Sequence, residues 1–506
     1  MSDRVKNTKR NIIASMISRL VIIVLPFVNR TAILWILGAE YTGLGSLFKS
    51  ILQVLNIAEL GFNTAIVYSL YEPMANHNED KIRQLVSMFR KIYHIVGCVV
   101  LCGGLMAMPF LTKLIKGSYP NDINIYLLFG LYLINSALSY YLFAYKECLL
   151  IADQRRDIAD YIRTFANIAT NLLQFVVLLL THNFYCYLVA AIIGTITTNI
   201  LIHIATKKRY SFYYDQKGKI VIPESMKKQV KGLLVDRLGD TCRNSFDNVI
   251  ITAFFGLTLT AIYGNYYYIY SALYMMMLVI CNAMGASVGN SIVKESAEKN
   301  YNNLELFTYI FSWVAGWCTV CLVCLYQPFM RVWVGDELLL SEHNMFLFCV
   351  YFYVINMTNI RNQYISGTGI WWKLKVPCIV EALANLSLNI VLGKLFGVSG
   401  VIIATIITIF FLNFTWRTSI LFKEYFVGHS FGKYMVRYLY YMFVTMAACA
   451  ITYYICGFIH GSKIMTILYR FVICLVVPNI ILFAGYRPLQ QFDNSKRFIN
   501  RVFQRQ

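Results

Sequence analysis

Charge is scarce in this chain, and acidic charge most of all. Of 506 residues only 14% are charged, 25 of them Asp or Glu against 45 Lys or Arg, while 58% are hydrophobic. Soluble domains carry about 25% charged residues, so a soluble enzyme is excluded. Also missing is any gap longer than about 25 residues between apolar segments, which excludes a membrane anchor carrying a catalytic head. There is no Walker motif and no His-rich cluster, so neither a nucleotide engine nor a metal site is expected. No selectivity-filter loop and no regular array of charges on one span suggests a channel or a voltage sensor. The 14 cysteines include Cys98, Cys281, Cys318 and Cys449 inside apolar runs. They read as small buried hydrophobes rather than disulfide partners or zinc ligands.

What is present is a succession of apolar runs. A window of about 20 residues yields fourteen candidate spans. They lie near residues 11–32, 44–70, 92–112, 123–145, 164–181, 184–206, 232–256, 258–290, 306–330, 344–366, 376–393, 400–416, 438–457 and 464–486. With the N-terminus inside, 33 of the 45 Lys and Arg fall on the cytoplasmic side and 5 on the other, and 7 are intramembrane. By the positive-inside rule both termini are expected in the cytoplasm. This asymmetry accounts for the net charge of +20 without nucleic acid as a partner; membrane lipids are the expected surroundings. The first run follows a charged start with no small-residue cleavage site and reads as a helix, not a removable signal.

The expected fold is therefore an all-α polytopic membrane protein of about fourteen transmembrane helices. The basic loop 207–231 separates an N-terminal six-helix lobe, 1–206, from a C-terminal six-helix lobe, 232–422, and residues 423–506 supply two peripheral helices and a basic tail. Six helices per lobe would leave the two lobes in the same orientation, as in parallel-repeat transporters. A repeat is faintly legible: Arg19-Leu20, Asn29, Ile33 and Gly38 match Arg237-Leu238, Asp247, Ile251 and Gly256 at identical offsets.

Ionisable residues inside spans cost roughly 2.5–3.5 kcal/mol each at a helix centre and must face a partner or water. In the first span Ser15, Arg19, Pro26 and Arg30 fall within about 60° of one another, making a cationic stripe. Pro26 frees a carbonyl, which is tolerable beside a cavity. Span seven places Asp236, Asp240, Arg243 and Asp247 on one face with Arg237, Asn244 and Asn248 beside them. Lys49, Glu59 and Glu381 are the other internal charges. Asp236 and Asp240 can pair with Arg243 and Arg237 to hold the two lobes together, or bind a coupling ion, H+ or Na+. Arg19 and Arg30 have no acid on their own helix and are candidates for an anionic ligand. In span eight Tyr263, Tyr267, Tyr270 and Tyr274 share one stripe over three turns; they could stack on sugars, although helix packing with hydrogen-bonded hydroxyls is the favoured account.

These features carry a family resemblance. Arg19 and Arg30, Tyr41-Thr-Gly-Leu-Gly-Ser46, Ala58-Glu-Leu-Gly61, Tyr68-Ser-Leu-Tyr-Glu-Pro73, Lys146-Glu with Ile151-Ala-Asp-Gln154, the run from Asp236 to Asp247, and Ser287-Val-Gly-Asn290 resemble a polysaccharide transporter. The type is a Wzx-like flippase for lipid-linked oligosaccharides, in the superfamily that includes multidrug and toxin extrusion proteins and lipid II flippases. The resemblance implies a transporter and not an enzyme. Its cargo would be an undecaprenyl-pyrophosphate-linked glycan moved across the cytoplasmic membrane by alternating access, without a cofactor and with glycan polymerase machinery as a further partner. Arg19, Arg30, Lys49, Arg237 and Arg243 would contact the pyrophosphate, which suits planar guanidinium donors. Glu59, Asp236, Asp240 and Asp247 would couple transport or pair the lobes. The alternatives are a cation-coupled exporter of small molecules, disfavoured by the cationic interior, and a multispan glycan polymerase or glycosyltransferase, disfavoured by the short loops.

Overall fold

The computed structural model describes residues 21–56, 67, 69–210, 224–459 and 461–503. Within them the side chains of 224–234, 236–238, 240, 244, 286 and 498–503 lie outside the description. Arg19 and Glu59 lie outside the described residues, as do the side chains of Asp236, Arg237 and Asp240. The described chain is helical throughout: α1 Val21–Ile36, α2 Ala39–Leu55, α3 Glu79–Ala107, α4 Ile125–Tyr141, α5 Glu147–Ala152, α6 Arg156–Thr181, α7 Phe184–Arg209 and α8 Glu224–Phe255. Then follow α9 Leu257–Lys294, α10 Ala297–Trp333, α11 Glu342–Thr368, α12 Lys375–Ile407, α13 Arg417–Glu424, α14 Phe431–Gly457, α15 Lys463–Tyr486 and α16 Gln490–Phe503. Contacts divide the chain into two compact units, Met1–Ala261 and Ile262–Gln506.

Each of the fourteen expected spans overlaps a helix, but among the described residues only eight helices are long and apolar enough to cross a membrane, or nine with the pair Ile125–Tyr141 and Ala144–Ala152, bent by 41°. The reasons are physical. Helices α1 and α2 are short, α8 is too polar, and α11 carries Asn356, Asn359, Arg361 and Asn362. Two expected spans merge into the single run Ile370–Glu424. Its break is Gly397, at φ 64° and ψ −144°, a backbone state that is essentially restricted to glycine. Residues Thr408–Trp416 then wind as a wider π-helix, and Thr415 Oγ1 accordingly donates to the carbonyl of Phe410, five residues back, at 2.8 Å.

In the first unit the main packings are α6 on α7, α2 on α8, α3 on α4 and α4 on α7. Asn side chains cap the helix starts: Asn124 caps α4 and Asn183 caps α7 close to the expected span starts, while Asn78 caps α3 well before the expected start near residue 92. Gly38 and Gly256, matched in the repeat, both take left-handed backbone, at φ 111° and 87°. Each stands between a helix and its successor, where a β-carbon would be strained. Asn29 and Asp247, matched likewise, are both 2% exposed.

In the second unit α10 is the hub, packed by α11, α14 and α15. Helix α11 is buried over most of its circumference from Met345 to Ile365. By contrast α15 buries only Cys474, Pro478, Leu482 and Tyr486, spaced four apart on one stripe. Its remaining surface, including Phe471, Val472, Leu475, Val476 and Ile480, is exposed and apolar. Such a surface fits hydrocarbon and not water.

Candidate functional site: a lysine-bearing cavity in the first unit

Helix α2 presents Lys49, Gln53 and Asn56 at intervals of four and three, on one polar face. That face meets Tyr132, Asn135 and Ser136 of α4 and Thr241 of α8 around a cavity of about 360 Å³, with Leu52 completing its wall. Lys49 is exposed to this space. It is the only charged side chain among the described residues lining it. A long aliphatic stem with an ammonium tip can run along apolar packing and deliver its charge to the polar opening.

Local packing positions the wall. Gly45, one turn before Lys49, leaves room for Tyr132, whose hydroxyl lies 3.1 Å from where a β-carbon would stand. Ser136 Oγ donates to Asn56 Oδ1 at 3.2 Å, and Thr195 Oγ1 of α7 donates to Asn135 Oδ1 at 2.7 Å. Asn248 Nδ2 of α8 donates to Ser50 Oγ at 2.9 Å, docking α8 on α2. With their oxygens engaged by hydroxyl donors, the amides of Asn56 and Asn135 retain NH2 groups as donors.

Arg30 is half-buried; its Nη2 donates to the carbonyl of Ala261 at 3.4 Å. It lies within electrostatic range of Lys49, Tyr132 and Tyr187. Two of the cations read from the sequence are thus neighbours in one unit. Arg243 and Asp247 are buried, 4% and 2% exposed, and are absent from the cavity wall. Helical geometry explains the division: Thr241 and Asn248, seven residues apart, share one face, whereas Arg243 lies about 150° and Asp247 about 110° round α8 from it.

In the second unit Tyr263 and Tyr270 are buried and pack on α11, Tyr263 against Phe348 at 5.1 Å and Tyr270 against Tyr351 at 4.5 Å between ring centroids. Tyr267 and Tyr274 are partly exposed and stack alongside, and Tyr274 Oη donates to Asn359 Oδ1 at 3.2 Å. Glu381 is 0% exposed and bound to Arg417 at 2.6 Å. Asn413 Nδ2 donates to both Glu381 oxygens at 3.0 Å, while Arg361 donates to Asn413 through Oδ1 at 2.8 Å and through its carbonyl at 3.1 Å. This network crosslinks α11, α12, the π-helical segment and α13.

Sequence reasoning missed the uncharged part of the wall: Gln53, Asn56, Asn135, Ser136 and Thr241. The signal for the first two was present, since they follow Lys49 at helical spacing. Asn135 and Ser136 sit in an apolar run and are recognisable only through their neighbours. The reading that the cysteines include no C-x-x-C pair is also wrong: the motif occurs twice in Cys318-Thr-Val-Cys321-Leu-Val-Cys324.

The helical, multispan architecture is that of membrane transporters of known structure. The chain is similar to the lipid II flippase MurJ in an inward closed conformation, at TM-score 0.67 and 14% identity, over 94% of this chain and 99% of that one. It is also similar to an inward-facing multidrug resistance MATE transporter of the MOP superfamily, at TM-score 0.62 and 14% identity over 81% and 99% of the two chains. A MOP superfamily transporter from Pyrococcus furiosus, described with a binding pocket of reverse polarity, aligns at TM-score 0.57 and 12% identity over 82% and 96%. No protein-family profile matches the chain, and no curated protein matches it by sequence. The protein is a multi-pass membrane protein with the fold shared by these transporters.

Proposed function

We propose that this protein is a flippase that moves an undecaprenyl-pyrophosphate-linked oligosaccharide across the cytoplasmic membrane by alternating access. The observation that carries the reading is Lys49: an ammonium group facing a polar cavity lined by amides and hydroxyls, with Arg30 nearby and no described acid on the wall. Such a wall suits an anionic headgroup with hydroxyl-rich substituents and repels a cationic drug. The fold likeness to a lipid II flippase, which spans nearly the whole chain, supports a lipid-linked cargo. Arg19 is assigned to the same headgroup from its place on the span-one stripe. The carboxylates of Asp236, Asp240 and Asp247 are the groups available for coupling to H+ or Na+, and the tyrosine stripe of α9 for contact with the glycan through its exposed members.

The test is translocation of a lipid-linked oligosaccharide in reconstituted vesicles. Losing a charge-assisted contact costs about 1.5–3 kcal/mol, so Lys49→Ala is expected to slow transport by about 10- to 100-fold at unchanged protein abundance, with Lys49→Arg retaining more activity. Full activity of Lys49→Ala would sink the headgroup assignment. In the same vesicles, Asp240→Asn is expected to lose any response to an imposed proton or sodium gradient; an unaltered response removes Asp240 as a coupling site.

A further inference from the structure

Cys324, Cys456 and Cys474 come from three different helices, α10, α14 and α15, yet their sulfur atoms all lie within 4.8 Å of one another. All three are buried and none is in a disulfide. Cys321 stands one turn before Cys324 on the same helix face, with its thiol directed at Cys474. We propose that this cluster is a thiolate site for a thiophilic d10 metal ion, zinc(II) in the first place, that clamps α14 and α15 to α10.

The geometry suits such an ion. Zinc–sulfur bonds of about 2.3 Å at tetrahedral angles put ligand sulfurs about 3.8 Å apart, inside the spread found here. Three thiols supply three positions, and Cys321, whose thiol meets Cys474, is the candidate for the fourth. Buried cysteines in apolar cores are commonly only small hydrophobes; helix packing, however, has no need to gather thiols from three helices at one point. A nearby cation provides the second argument. Arg470 of α15 donates from Nη1 to the carbonyl of Cys324 at 3.2 Å, and its Nε is buried without a hydrogen-bond partner. It is within electrostatic range of both Cys456 and Cys474. Three thiolates, one doubly charged ion and one guanidinium cancel in charge, which is what an apolar interior requires. Binding displaces three thiol protons to solvent and involves no redox change.

The same unit holds a cavity that none of the three cysteines lines. This cavity, of about 360 Å³, is walled by Val323, next to Cys324, and by Tyr453 and Cys449 of α14. Its lining further includes Cys349, Met442 and Met446, soft sulfur donors of the kind that attract thiophilic ions. The proposal departs from the expectation that the cysteines of this chain are packing residues alone, because three of them meet at one point.

The experiment uses the full-length protein in detergent with reduced thiols, equilibrated separately with zinc(II) and with copper(I), then dialysed and assayed for bound metal. One zinc per chain is expected, and cobalt(II) in its place should give thiolate charge-transfer absorption. Cys324→Ser, Cys456→Ser and Cys474→Ser should each lose the ion, while Cys281→Ser and Cys378→Ser keep it. Should those variants fold poorly, the parent decides alone: a chelator should lower its melting temperature and zinc restore it. The proposal is overturned if the reduced parent retains neither metal or if the triple variant retains as much as the parent. Uptake of copper(I) alone overturns the zinc assignment. None of these readouts involves transport, so their failure is separable from failure of the flippase reading.

Discussion

Three buried charged side chains, Glu381, Arg417 and Arg361, are resolved by a shared amide, Asn413, which donates to the carboxylate and accepts from Arg361. A buried pair gains little over an apolar replacement, but loss of one partner leaves an uncompensated charge and costs about 3–5 kcal/mol. Glu381→Gln is therefore expected to lower the thermal midpoint in detergent markedly, whereas the double replacement Glu381→Met with Arg417→Met should recover much of the loss. If Glu381→Gln melts with the parent, the network is not a stability element. Lys49 is the opposite case. Its charge meets a cavity and not a carboxylate on the described wall, so its removal should leave stability nearly unchanged while impairing transport.

At the scale of elements, the closest approach of a described glycine to another segment's backbone in the first unit is made by Gly43. A β-carbon on Gly43 of α2 would stand 2.3 Å from the carbonyl oxygen of Leu257, at the start of α9. That oxygen belongs to backbone and cannot swing aside. Overpacking of this kind costs about 1–3 kcal/mol, so Gly43→Ala should lower the thermal midpoint and disturb the mouth of the Lys49 cavity, which α2 also forms. Gly289 of α9 is the control: a β-carbon there meets nothing within 4 Å. Alanine at that position should be neutral or gain up to about 1 kcal/mol from helix propensity. Equal melting of the two variants would show that α2 and α9 are less closely packed than described.

Across the whole molecule, the distribution of Lys and Arg is the strongest long-range signal in the sequence. With 33 cations assigned to one side and 5 to the other, both termini are expected on the cytoplasmic side. A fluorescent protein fused after Gln506 should fluoresce, and a periplasmic reporter at the same place should stay inactive. The reverse result would invert every assignment of inner and outer loops. The basic loop 207–231 should likewise be reached by a membrane-impermeant reagent only from the cytoplasmic face.

Helical class, membrane residence and the positions of most spans were determined by the sequence alone, because each depends on a local sum of side-chain transfer energies that a window of residues already contains. The helix-ending glycines Gly38 and Gly256 were legible too, through a repeat that placed them at matching offsets. Which internal side chains meet was decided only by tertiary structure. Whether Arg243 and Asp247 share a cavity with Lys49 depends on how α8 is rotated about its axis when it docks on α2, and the docking bond from Asn248 to Ser50 turns them away. Arg417, one residue beyond the expected span 400–416, became the buried partner of Glu381 because the π-helical segment carries the helix onward past that expected end. Cys324, Cys456 and Cys474 are separated by 132 and 18 residues along the chain, and only the packing of α14 and α15 on α10 brings their sulfurs together. Hydropathy records how deep a residue lies; the angle at which its helix is set among its neighbours, a property of the packed molecule, decides what it touches.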